Sequence, residues 1–101
     1  MRDRLTLQAL LEELLGSRYV YAQAPTSGMM HYPAIKYRLS NIDNTHANDR
    51  VYASAKQYEI ILIDPDPDSV FVDKINSLQS ADFVRMYVAE NLNHWVFTIT
   101  Y

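Results

Sequence analysis

With 101 residues, 49% of them hydrophobic, the chain has the material for one domain spanning 1–101 and one modest core. It contains no cysteine, which excludes a disulfide framework or a thiolate metal site and fits a reducing compartment. Nine basic against twelve acidic residues leave a net charge of -3, which excludes a global attraction to nucleic acid or to an anionic membrane.

The N-terminal Met1-Arg2-Asp3-Arg4 followed by leucines has the outline of a signal peptide. Glu12 and Glu13 interrupt its apolar run and no small-residue cleavage site follows, so a mature cytosolic N-terminus is expected. No segment approaches the roughly 18 apolar residues needed to span a bilayer.

Leu7, Leu10, Leu11 and Leu14 recur at helical spacing, with Leu5 and Leu15 widening the stripe. This predicts a helix over 3–15, ended by Gly16 in the left-handed conformation. A short β-like run covers 18–22, and Pro25-Thr26-Ser27-Gly28 signals a loop. Residues 32–39 alternate, with Ile35, Tyr37 and Leu39 on one face and Lys36 and Arg38 on the other; Pro33 suits a strand start or an edge. The polar segment 40–49 reads as a long connection or an extended arm.

Residues 51–64 form the longest strand candidate, and its second half is apolar on nearly both faces, as in a central strand covered on both sides. Asp64-Pro65-Asp66-Pro67-Asp68-Ser69 stops it, and Asp68 or Ser69 caps a second helix over 69–79.

The segment 81–101 predicts a β-hairpin around a Glu90-Asn91-Leu92-Asn93 loop. That loop sets Val88 opposite Trp95, Met86 opposite Phe97 and Val84 opposite Ile99 on an apolar core face. Ala89 with His94, Tyr87 with Val96, Arg85 with Thr98 and Phe83 with Thr100 form the mixed face. The order α-β-β-β-α-β-β gives an α+β domain with a mainly antiparallel sheet of about four to five strands and two helices.

Chemistry-bearing motifs are sparse. Asp64, Asp66 and Asp68 match the opening of a calcium loop, but positions six and twelve hold Ser69 and Ile75 where Gly and Glu are needed, so a helix-capping turn is preferred. His31, His46 and His94 show no ligand spacing. No serine lies in a G-x-S-x-G elbow. Glu59 falls mid-strand, where a salt bridge or a rim position is expected. Lys36, Arg38, Arg50 and Lys56, with Tyr52 and Tyr58 among them, make a basic aromatic sheet face if their strands pair, a face that suits a phosphate backbone. Eight tyrosines and Trp95 exceed what a small core needs, and such residues are enriched at protein interfaces.

Three segments carry a family resemblance: Tyr32-Pro33-Ala34-Ile35; Ile61-Leu62-Ile63-Asp64 running into Asp66-Pro67-Asp68-Ser69; and Asn91-Leu92-Asn93-His94-Trp95-Val96-Phe97. They resemble the small neck or tail-completion proteins, tail-terminator-like proteins among them, of long-tailed bacteriophages and prophages. The resemblance implies a non-enzymatic virion protein without cofactor, catalytic residue or metal. It implies a ring homo-oligomer, typically a hexamer, that caps the tail tube and joins it to the head connector, with DNA only passing through. The tail tube protein and a head-completion or connector protein are the partners expected, assembled in the host cytoplasm with no membrane involved. Candidate oligomer or partner contacts are then Tyr37, Asn44, His46, Tyr52, Phe83, Arg85, Tyr87, Asn91 and His94, and candidate DNA-facing residues are Lys36, Arg38 and Lys56. The alternatives are a head-completion, stopper or adaptor protein of the neck, or a small nucleic-acid-binding regulatory module.

Overall fold

A computed structural model describes residues 4–22, 31–47 and 50–101, with side chains described outside 45–54. Its elements run α1 (Arg4–Leu15), β1 (Val20–Tyr21), β2 (Ala34–Ala47), β3 (Arg50–Asp64), α2 (Val70–Asn76), β4 (Ala81–Ala89) and β5 (Leu92–Thr100). This is the α+β order expected. The five strands form one sheet, β1-β2-β3-β5-β4, in which β1 runs parallel to β2 and every other pair is antiparallel. Among the described residues no helix is long and apolar enough to cross a membrane.

The helix α1 follows its leucine period. Leu7, Leu11 and Leu15 are buried and Leu10 and Leu14 pack partly against the core. Leu5, expected to widen the stripe, is exposed instead, because two residues before Leu7 it points to the opposite side of the helix from that buried leucine. Gly16 closes the helix at φ +75°, its amide donating to the Glu12 carbonyl at 2.9 Å.

Strand β3 is the centre of the sheet. Tyr58, Ile60 and Leu62 point to the helix side, where they join Ile35, Tyr37, Trp95, Phe97, Ile99, the α1 leucines and Ile75 in one buried cluster. Alternation sends Glu59, Ile61 and Ile63 to the opposite face. There Ile63, Ala34 and Val96 are also buried, so the second half of β3 is covered on both sides as its composition predicted.

The segment 40–49 is mostly strand. Beyond Leu39 the β2–β3 ladder continues through Asn41↔Gln57 to Ala47↔Arg50, with Ser40 as an extra residue in β2. The pairing of β3 with β5 begins only at Gln57. The ribbon beyond it is therefore two-stranded. Fifteen residues of β3 at about 3.3 Å each span roughly 50 Å, which accounts for the 51 Å long dimension of the molecule.

The hairpin departs from expectation in its turn and its register. The turn holds two residues, Glu90 and Asn91, both at positive φ (54° and 63°), the combination of a type I′ turn. Shortening the loop by two moves every pair by two, to Ala89↔Leu92, Tyr87↔His94, Met86↔Trp95 and Arg85↔Val96. Val84 is then an extra residue, after which Phe83 lies opposite Phe97 and Ala81 opposite Ile99. Phe83 therefore lies on the helix side with Met86 and Val88, not on the mixed face with Arg85 and Tyr87.

Removing buried leucine atoms separates the two sides of α1. Leu11→Ala is expected to cost about 2–5 kcal/mol and Leu5→Ala under about 0.5 kcal/mol, read by chemical denaturation. Asn91→Gly, which supplies the residue the second type I′ position favours, is expected to raise stability by about 0.5–1 kcal/mol in the same measurement.

Candidate interaction surface

The aspartate-rich turn is a local structural device. The Asp66 amide donates to Asp64 Oδ1 and the Asp68 amide to Asp66 Oδ1, each at 2.9 Å, so two carboxylates bend the chain through successive side-chain turns. Ser69, not Asp68, caps α2, accepting from the Phe71 amide. Asn93 Nδ2 donates to the carbonyls of Asp64 and Pro65, both at 3.2 Å, and ties this turn to β5. Among the described residues no group of three or more His, Asp or Glu side chains is placed to hold a metal ion.

Tyr37, proposed as a contact, belongs to the interior. It is buried, its hydroxyl donates to Gln8 Oε1 at 2.6 Å and accepts from Arg4 Nη1 at 3.0 Å. That pair fastens the start of α1 to β2.

The basic face divides. Lys36 and Arg38 lie on the sheet face away from the helices, opposite Ile61 and Glu59. Lys56 shares the parity of Tyr58 and Ile60 and lies on the helix side. The extra residue Ser40 does not bring Lys56 back, since it bends β2 while β3 continues regularly. Arg38 also pairs with Glu59 at 3.2 Å, so Glu59 is salt-bridged as its mid-strand position suggested. Tyr58 is buried, and the side chains of His46, Arg50 and Tyr52 fall outside the described residues.

The hairpin gathers the remaining candidates. On the face away from the helices, Tyr87 stacks on His94 with centroids 4.7 Å apart and planes 9° apart, and the Arg85 guanidinium sits 5.8 Å from the Tyr87 ring. Asn91 projects from the turn, and Asn44 is exposed on the two-stranded ribbon. His31 stacks on Tyr19 at 4.9 Å, beside β1 on the opposite margin of the sheet from the Tyr87–His94 stack.

On the helix side the apolar hairpin face is only half covered. Trp95, Phe97 and Ile99 of β5 are buried, but Phe83, Met86 and Val88 of β4 are exposed, as is Val84, with Val88 at 62% and Phe83 at 50%. The cause is length. The seven residues of α2 extend about 10 Å, whereas the nine residues of β4 extend about 30 Å. Phe83 turns its edge to Phe97 at 5.5 Å, and an apolar groove of about 330 Å³ remains between α2 and β4, lined by Val72, Phe83, Met86, Trp95 and Phe97 with Asp73 and Asn76 at its rim.

Val84, Met86 and Val88 are the surface residues the sequence reading assigned to the core. The shortness of the helical stripe before the hairpin is the signal that pointed to them. Among the described residues β4, the last strand in the sheet order, also keeps one backbone edge without a strand partner. It carries no proline or lysine, the residues that most often guard such an edge.

Comparison with models of known families, with curated proteins and with solved structures finds no match for this chain.

If Tyr37 is a fastening residue, Tyr37→Phe lowers unfolding free energy by about 0.5–1.5 kcal/mol, because the half-buried Gln8 carbonyl loses its 2.6 Å donor and keeps only the Arg4 guanidinium at 3.4 Å. Self-association measured by light scattering is expected to stay unchanged in the same variant.

Proposed function

We propose that this protein is a non-enzymatic structural subunit of a long-tailed phage or prophage virion. Its copies close into a ring, of the hexameric kind, that caps the tail tube and presents its other face to the head connector. The observation that carries this reading is the β4 margin: nine residues of edge strand, apolar on the helix side and bearing Asp82, Arg85 and Tyr87 on the other, its apolar side left uncovered by a helix too short to reach it. An uncovered edge of this kind is a template for another chain.

The mechanism is geometric. Phe83, Arg85, Tyr87, Asn91 and His94 meet a neighbouring subunit, and the ribbon bearing Asn44, His46 and Tyr52 reaches past the core to contact the next copy or the tube. A head-to-tail contact of this sort closes a ring when its rotation divides the circle. The nucleic-acid-binding reading loses its main support, since Lys56 is parted from Lys36 and Arg38 by the thickness of the sheet. What remains of it is a ring lumen past which DNA travels.

The test is purified protein studied by size-exclusion chromatography with light scattering over a range of concentrations, alone and with tail tubes. With the tubes present, assemblies larger than a dimer that elute with them are expected. Val88→Lys, which places a guarding charge on the exposed edge without touching the core, is expected to abolish that capture. A protein that never exceeds a dimer and never binds tubes overturns the proposal.

A further inference from the structure

The β4 edge carries two charges and they have opposite sign, Asp82 and Arg85. In a regular strand residues three apart face opposite sides. Here the extra residue Val84 lies between them, so Asp82 opposite Thr98 and Arg85 opposite Val96 share the face away from the helices. Counted along the pleat, they sit one step to either side of Phe83, which points to the other face.

We infer that the β4 edge is complementary to itself: two copies of this chain pair antiparallel through β4 about a two-fold axis centred on Phe83, with Asp82 of each copy opposite Arg85 of the other. A two-fold perpendicular to a sheet keeps each face on its own side, so only residues of one face meet. With Phe83 on the axis, the two Asp82–Arg85 pairs flank it on one face. On the other, Phe83 meets Phe83 and each Met86 meets Ala81, extending the apolar groove beside α2 across the junction. Centring the axis on Arg85 instead sets two guanidiniums directly opposite each other, and centring it on Asp82 sets two carboxylates so. Like charges in that position are destabilising, whereas opposite charges are favourable.

The contact goes beyond the ring reading. An isologous pairing closes at two copies and covers the edge that a head-to-tail ring requires, so the free dimer holds that edge shut until an assembling neighbour displaces it. Phe83, Met86 and half of the strand's backbone groups are protected meanwhile from indiscriminate strand addition.

The experiment is a charge swap read by sedimentation equilibrium at low salt. Wild type is expected to be a monomer–dimer system. Asp82→Arg alone and Arg85→Asp alone each turn both cross-axis pairs repulsive and are expected to raise the dimer dissociation constant about thirtyfold. The double variant reverses both charges and dimerises again. Mixed one to one, the two single variants form a heterodimer, because one presents two cations and the other two anions. Both positions are exposed, and circular dichroism of each variant verifies the fold. A wild type that stays monomeric overturns the inference, as do single variants that dimerise as well as wild type or a mixture that forms no heterodimer. No phage component enters, so failure here leaves tube capture standing, and failure of tube capture leaves the dimer standing.

Discussion

The packing of Leu7, Leu11 and Leu15 onto Tyr58, Ile60 and Leu62 decides what the rest of the molecule can do. Each of these side chains contributes about 1.5–3 kcal/mol when taken fully out of water, so the first helix is anchored over the centre of the sheet and nowhere else. The Tyr37–Gln8–Arg4 hydrogen bonds fix the same helix at its other end. With α1 lying over the middle of the sheet, α2 is the described element that lies beside β4. It is seven residues long, and its buried anchor is Ile75. The sheet is thus well covered at its centre and bare at one margin.

That imbalance explains why a chain with ordinary composition presents apolar surface. The hydrophobic residues in β4 are not surplus to the pattern; they alternate correctly for a strand with one apolar face. They are exposed because the layer above them stops short. A mutation that lengthened α2 would cover Met86 and Val88, so the exposure belongs to the architecture and not to the strand.

Period-two and period-3.6 patterns were legible in the sequence because they report which face a residue occupies. The α1 leucines, the central character of β3, the Gly16 cap and the order of elements all follow from them. What the same patterns could not reveal was count. A hairpin register shifted by two leaves Tyr87, Met86 and Val88 on their expected faces while changing every partner. One extra residue, Val84 or Ser40, changes the face of everything beyond it, and neither is marked by glycine or proline. Phe83 was misplaced in this way, by the extra residue within β4; Lys56 was misplaced for another reason, since it keeps the parity of Tyr58 and Ile60 and so lies on the helix side. The polar 40–49 segment hid its strand character for a different reason: a ribbon solvated on both faces has no need of apolar alternation.

The charges then take a narrower role than their number suggests. Arg38 is occupied by Glu59, and an exposed pair of that kind is worth about 0–1 kcal/mol. Lys36 and Lys56 lie on opposite faces. Asp64 and Asp66 accept from their own backbone. Among the described residues the charges of β4 are placed differently, since Asp82 and Arg85 stand on an uncovered edge whose apolar neighbours supply the attraction. Burial there is indifferent to register, because Phe83, Met86 and Val88 would gain from almost any partner strand. Two charges of opposite sign on one face are not indifferent. They penalise the pairings in which like meets like, which is how a sticky margin acquires a single preferred alignment at little cost in stability.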